Sequence, residues 1–579
     1  MVSSTQPAAN SAGIAILNQG GNCVDACVAI AACLAVIEPA MTGIGGDCFA
    51  LFYDAKEKKV SGLNGCGRAA KALSIDFLRE NYADHILPNR RFKGDSIFKV
   101  TVPGAVCGWF DAFTKWGSGN LSMQDILQPA IELAENGFVV AEINSLSWKS
   151  AVEKLRRNNI GKDIESFLPK GESPEKGDLI CNPDLAETLK RIAIEGKNAF
   201  YNSDITDDII SEMNGRGHVF SREDFTSHES TFVEPIGYEF LGKKLWEIPP
   251  NGSGIIALIT LGMIKNLDAS GVIDLKEMKH NSADYLHLII ETLKLAFKES
   301  EEYVFDYDHY SKETNEEFKG SIERLLSDDY LREKICRFNR DSTLLNEGPD
   351  SKFKSDTVYF TAVDKYGNAC SFINSVYESF GSGIVIPKRG FTMQNRGGNF
   401  SLNPKAKNSL QGGKRPYHTI IPGMITEAGE LGELYASYGI MGGYNQPQAH
   451  VQVYMNMIFF GMDPQEALDA PRICLSSHPK FKHTDSGFGA DGPASTLETW
   501  VDIEEGIEES VIEELRCRGH KLQILDGFNR KQFGRGQIIR REKSYFKKSE
   551  VTEDSEVNVV TVFSGGSDMR GDGAAVPQV

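Results

Sequence analysis

The chain has 579 residues, 41% apolar and 25% charged, a composition that excludes a disordered or collagen-like protein and suits an ordinary globular one. Its 62 basic residues face 80 acidic ones, a formal charge of −18. Such a surface repels phosphate backbones and anionic lipid, so neither nucleic acid nor membrane is an expected partner, although a local basic pocket for a small carboxylate remains compatible with it.

The opening residues, MVSSTQPAANSAG, carry no basic stretch followed by an apolar core. No secretory signal is read there, and the cytoplasm is the expected compartment. Residues 9–36 are small and apolar and read as one helix interrupted by Gly20-Gly21. The apolar run from Ala26 to Ile37 is too short to span a bilayer. Eleven cysteines, an odd number with no CxxC pair, suit reduced and mostly buried thiols. Cys23, Cys27 and Cys33 are accordingly read as packing. The run Thr42-Gly43-Ile44-Gly45-Gly46-Asp47 lies between a helix and a strand at 50–65. A dinucleotide fingerprint needs the opposite order, so these glycines are read as permitting close backbone approach.

Amphipathic helices are predicted over 121–160, 180–200 and 281–304, the last with Tyr285, Ile289, Leu293 and Phe297 in one stripe. Residues 306–356 are charged and weakly patterned and read as an exposed, mobile segment. The pattern changes at Thr357, where VYFTAVDKYGNACSFINSVY reads as a hairpin turning at Asp364–Asn368. Strand signals continue through 383–395 and 418–426, and a helix follows from Pro447 to Phe460. The acidic stretch 498–514 reads as a solvated helix face. The GxSxG, HExxH, GxxxxGK[ST] and EF-hand signatures are all missing, so no metal or other cofactor is expected.

The segment Asp356-Thr357-Val358-Tyr359-Phe360-Thr361 resembles the cleavage and nucleophile motif of the γ-glutamyltranspeptidase (glutathione hydrolase) family. The resemblance spans nearly the whole chain, through residues 16–49, VTVPGAVCGW at 100–109, IPPNGSG at 248–254 and GSDMRGDGAA at 566–575. It is nearest the glutathione hydrolase-like and cephalosporin-acylase-like proenzymes. It implies an α+β fold, the four-layer αββα sandwich of N-terminal-nucleophile hydrolases. Residues 1–356 and 357–579 would be the large and small chains of one proenzyme, intertwined in one fold and partners of each other. The implied activity is hydrolysis or transfer of γ-glutamyl amides such as glutathione through a threonine acyl-enzyme. A glutaryl or cephalosporin-type acylase and a non-processing binding homologue are the alternatives.

The chemistry of the residues agrees. A threonine hydroxyl needs a base. Cutting the Asp356–Thr357 bond frees an α-amine of pKa about 7.7–8.0 on the same residue, so no histidine is required. Gly442 and Gly443 match the family's oxyanion pair, where glycines let backbone amides approach the substrate. Arg68 matches the arginine that grips the substrate's α-carboxylate, a task suited to a bidentate guanidinium. The remaining substrate-binding positions depart from the family's pattern: Ser375 replaces a threonine, Tyr377 an asparagine, Arg396 an acidic or amide residue, Asn399 an aspartate, and His418-Thr419 a serine pair. Asn399 supplies no negative charge for an α-ammonium, and Arg396 adds a positive one. Weaker selection for an α-amino group is therefore predicted, with tolerance of a glutaryl-like acyl group.

Overall fold

The computed structural model describes residues 1–162, 164–344, 356–429, 432–476, 499–546 and 558–578. The segment 345–355, part of the predicted mobile stretch, lies outside the described residues. Two sheets dominate. The seven-stranded sheet runs in the order Ala574–Val576, Val2–Ser4, Asp356–Val363, Ala369–Tyr377, Asp47–Asp54, Lys59–Gly65, Thr231–Val233. The six-stranded sheet runs Asn558–Ser567, Arg535–Phe546, Leu434–Met441, Gly423–Glu427, Lys243–Glu247, Ile236–Phe240. Every ladder in both is antiparallel. Residues before and after Asp356 contribute strands to each sheet.

The sheets pack face to face. Thr361 Oγ1 lies 2.6 Å from Ser437 Oγ. Two residues along each strand, Gly439 lies flat against the Tyr359 ring, where a Cβ would come within 2.4 Å of a ring carbon. Helices Cys23–Ile37 and Ala105–Trp116 cover the outer face of the seven-stranded sheet, and Ile255–Ala269 and Gln446–Ile458 cover the other. This is the expected αββα sandwich. Cys23–Ile37 is buried along its whole length, which explains why its sequence has no polar face. Among the described residues no helix is long and apolar enough to cross a membrane. All eleven cysteines are free, and eight of them, including Cys23, Cys27 and Cys33, are buried.

Several local readings change. The single helix of 9–36 is two, Pro7–Asn18 and Cys23–Ile37. Gly20 takes φ 96°, and Asn22 then caps the second helix in a reciprocal box with Asp25. The strand of 50–65 is a hairpin, Asp47–Asp54 and Lys59–Gly65. Part of the charged segment after 306 is helical, Lys312–Leu325 and Asp328–Lys334. Ser311 and Ser327 cap these helices, and Phe318, Ile322, Leu325 and Leu331 give them a buried stripe. Residues 383–395 form no ladder beyond a bridge between Val385 and Thr392, because Lys388 and Gly390, at φ 63° and 70°, turn the chain at once. The acidic stretch after 498 is only partly a solvated helix, Glu509–Cys517. Trp500–Glu504 is a strand whose Asp502 and Glu504 are buried.

Glu504 belongs to a buried ion network. Arg570 reaches it at 2.6 Å and Asp568 at 2.9 Å, and Asp568 also meets Arg472 in close contact. Asp568→Asn keeps the shape and removes one charge, leaving two buried guanidiniums under-compensated. A loss of about 3–5 kcal/mol is expected, read as a lower urea midpoint.

Candidate active site

Along Asp356–Val363 the side chains alternate, so Thr357, Tyr359 and Thr361 share the face turned to the second sheet. Thr361 meets Ser437 and Tyr359 meets Gly439. Continuing that alternation, Thr357 points toward the end of the strand Leu434–Met441, which runs into Gly442-Gly443. Thr357 is completely buried. Asp356 pairs with Tyr377 on the neighbouring strand, and the register shifts between Asn374 and Tyr377. Tyr377 adopts φ 81° at this irregularity. The bulge re-aims Ser375 toward Thr357.

Ser375 Oγ is the meeting point of the site. It accepts from the Tyr377 N–H at 2.9 Å, from Arg396 Nη2 at 2.9 Å and from the Thr357 hydroxyl at 3.3 Å. A hydroxyl oxygen offers two lone pairs, so three donors compete and the threonine is held most loosely. No histidine or carboxylate side chain among the described residues hydrogen-bonds Thr357. The glycine run packs behind this point. A Cβ on Gly46 would lie 2.3 Å from the Ser375 carbonyl oxygen, and one on Gly45 2.1 Å from that of Thr392. The close approach read from the sequence is thus an approach to the serine beside Thr357.

Arg396 is fully buried, on the short turn Arg396–Asn399. Its Nη1 donates to Thr419 Oγ1 at 2.7 Å, and its guanidinium lies 4.3 Å from the Tyr377 ring centre. Among the described residues no carboxylate pairs with it, and its Nε has no partner. Burial pulls its pKa down, opposed by Tyr377 and Asp47, but a guanidinium stays charged. Asn399 is engaged through both its oxygen and its nitrogen. Its oxygen accepts the Tyr377 hydroxyl at 2.5 Å and the Tyr444 hydroxyl at 3.4 Å, and its Nδ2 donates to the Tyr417 carbonyl at 3.0 Å.

His418 Nδ1 accepts the Ile420 N–H at 3.3 Å, so the proton sits on Nε2 and is donated to Asp47 at 3.1 Å. Burial, and then the nearby Arg396, lower the pKa of His418 to about 4. Gly442 and Gly443, at φ 141° and 61°, join the strand Leu434–Met441 to the helix Gln446–Ile458. Neither N–H is engaged by another group among the described residues, which suits donors for an oxyanion. Arg68 follows Gly67, whose N–H Asp47 accepts, but its own Nη1 donates to the Glu229 carbonyl at 3.1 Å, and the groups acting on its charge are Arg415, Asp306, Cys66 and Asp308.

Sequence reasoning missed Asp47. Its Oδ1 accepts the N–H groups of Gly67 at 2.8 Å and Gly104 at 3.2 Å and Gln394 Nε2 at 2.8 Å, while Oδ2 faces His418. The carboxylate closing a glycine run was the available signal. Asp47, Cys66 and His418 are close enough together to share a metal ion. Three protein donors already occupy Asp47 Oδ1 and His418 occupies Oδ2, so the trio as it stands is a hydrogen-bond network.

The gamma-glutamyltranspeptidase family model matches residues 9–578. The chain is 32% identical to the glutathione hydrolase-like YwrD proenzyme of Bacillus subtilis, an alignment covering 100% of this chain and 98% of the relative. It is 29% identical to the glutathione hydrolase proenzyme of the same organism, over 90% of this chain and 85% of the relative. The crystal structure of a cephalosporin acylase from Bacillus halodurans superposes with a TM-score of 0.80 at 34% identity, covering 99% of this chain and 94% of that one.

Two outcomes follow from the site's packing and charge. Gly46→Ala sets backbone against backbone at Ser375 and is expected to cost about 1–3 kcal/mol, measured as a lowered melting temperature. His418 and the equally buried His218 both have pKa values lowered from 6.5 to about 4. Between these values the unfolded histidines bind protons that the native ones refuse, so stability rises with pH across the window and is lost on acidification. The slope is at most about 1.4 kcal/mol per pH unit for each histidine. Urea midpoints at several values across that window should show it, with a shallower slope in His218→Gln.

Proposed function

The chain belongs to the gamma-glutamyltranspeptidase family and is an amidohydrolase of that kind, and we propose that it cuts itself between Asp356 and Thr357 and then uses Thr357 to open amides of carboxylate-bearing acyl groups. Gamma-glutamyl amides such as glutathione are the donors that the relatives' names indicate. The observation that carries the reading is the hydroxyl of Thr357, held against Ser375 with no imidazole or carboxylate on it among the described residues.

In the self-cleavage Thr357 Oγ adds to the Asp356 carbonyl carbon, the peptide C–N bond breaks, and the acyl group moves from nitrogen to oxygen. Water hydrolyses the ester and leaves a carboxylate on Asp356 and an amine on Thr357. That amine then serves as the base for Oγ in each turnover. Gly442 and Gly443 take the oxyanion, and the buried guanidinium of Arg396 adds positive charge beside it.

A second reading, a glutaryl or cephalosporin-type acylase, is favoured by Asn399. The amide carries no charge for an α-ammonium, and its oxygen already accepts two tyrosine hydroxyls. The cytoplasm stays the proposed compartment, supported by eleven free cysteines.

On a denaturing gel the wild-type chain is expected as two fragments, the smaller with Thr357 at its N-terminus by sequencing. Thr357→Ala is expected to remain whole and inert. A Thr357→Ala chain that still splits assigns the nucleophile elsewhere, and a wild-type chain that stays whole and inert favours the binding homologue.

A further inference from the structure

Resting on the self-cleavage reading above, we propose that Glu378, gripped by Lys154 and Lys99, is a positioning residue for the cut before Thr357 and for the turnover that follows, acting through the bulge that aims Ser375 at Thr357.

The bulge is strained. Tyr377 takes φ 81°, a left-handed conformation that a bulky residue keeps only where its surroundings impose it. The same residue touches both sides of the bond to be cut. It stands opposite Asp356 in the ladder, and its N–H donates to Ser375 Oγ, the oxygen that accepts the Thr357 hydroxyl. A Tyr377 that relaxed would shift the partner of the nucleophile and the strand neighbour of Asp356 together.

Glu378 is the next residue and is buried. Its Oε2 lies 3.0 Å from Lys154 Nζ and its Oε1 3.9 Å from Lys99 Nζ. Lys154, on the helix Val152–Asn158, also donates to the carbonyls of Ser379 at 3.3 Å and Gly381 at 3.0 Å. The three N–H groups of its ammonium are thus matched by three oxygens within residues 378–381. Burial acts to raise the Glu378 pKa, but Lys154 and then Lys99 outweigh it and hold the carboxyl below its usual range, as an anion.

The grip extends to the other donor on Ser375. The Glu378 N–H donates to Asn395 Oδ1 at 3.3 Å, and Asn395 adjoins Arg396, whose Nη2 donates to Ser375 Oγ. Lys99 lies along the turn Arg396–Asn399: a Cβ on Gly397 would come within 2.7 Å of its carbonyl oxygen, and one on Gly398 within 3.3 Å of its Cδ. Both lysines precede Asp356 and Glu378 follows it, so the ion pairs span the proposed cut. The part of the chain before the cut thereby braces the nucleophile site in the part after it. Glu378 itself moves no proton, since its carboxylate oxygens face ammoniums.

The test follows fragment formation in chain freshly made by cell-free synthesis, then kcat and KM of the split enzyme on a γ-glutamyl or glutaryl anilide, with urea midpoints measured alongside. Glu378→Gln and Lys154→Met each remove one charge at nearly constant size. Each is expected to slow self-cleavage by about tenfold or more, within what a misplacement of about 1 Å costs. In the fraction that has split, kcat is expected to fall by about tenfold with KM within about twofold of wild type, the mark of lost alignment and not of lost binding. Lys154→Arg keeps the charge and is expected to stay within about threefold of wild type in both rates. A folded Glu378→Gln chain that splits and turns over at wild-type rates overturns the proposal. So does a loss confined to KM, or a Lys154→Arg loss as large as that of Lys154→Met. If neither Glu378→Gln nor Lys154→Met folds, the ion pairs serve the fold alone and the proposal falls. A wild-type chain that never splits sinks the self-cleavage reading, whereas a splitting wild type with unaffected variants sinks only this inference.

Discussion

One buried carboxylate, Asp47, ties together the segments on which the site is built. Its two oxygens hold the backbone at Gly67 and Gly104 and the side chains of Gln394 and His418. Gln394 lies two residues before Arg396, and His418 adjoins Thr419, which holds the other end of that guanidinium. An ionised group out of water is tolerable only when donors surround it, and here the donors come from four separate stretches of chain. The negative charge at Asp47 and the positive charge at Arg396 are thus positioned by one network, with His418 neutral between them.

The hairpin around Thr357 was legible because its signals are local. Alternation over 357–363 and turn chemistry at Asp364–Asn368 survive folding unchanged, with Asp364 Oδ1 accepting the N–H groups of Tyr366 and Asn368. The glycine run was read correctly as a close approach, but what it approaches depends on a strand more than 300 residues away. The helices after 306 were missed because few apolar residues mark them, and their stability comes from caps and a narrow buried stripe. Glu504 looked solvated for the opposite reason: charge in a sequence does not reveal the arginines, Arg530 and Arg570, that folding brings to it.

The same limit applies to Arg68 and Arg396, whose neighbours no local pattern predicts. Among the described residues neither guanidinium pairs with a carboxylate: Arg68 donates to the Glu229 carbonyl, and Arg396 to the hydroxyls of Thr419 and Ser375. The contrast between a −18 chain and a buried cation also bears on entry. An anionic substrate approaches against the overall field and is drawn in only at short range, so its capture is sensitive to ionic strength.

Each sheet is woven from strands on both sides of Asp356, with Asp356–Val363 lying between Val2–Ser4 and Ala369–Tyr377, and Gly423–Glu427 lying between Leu434–Met441 and Lys243–Glu247. The uncut chain assembles these ladders as an intramolecular event, independent of concentration. The proposed scission before Thr357 would leave the ladders in place but remove the tether, so the fragments, once unravelled, would have to find each other by diffusion. The mature molecule would then be a one-way product: durable while its unfolding barrier stands, and irrecoverable on dilution once that barrier has been crossed.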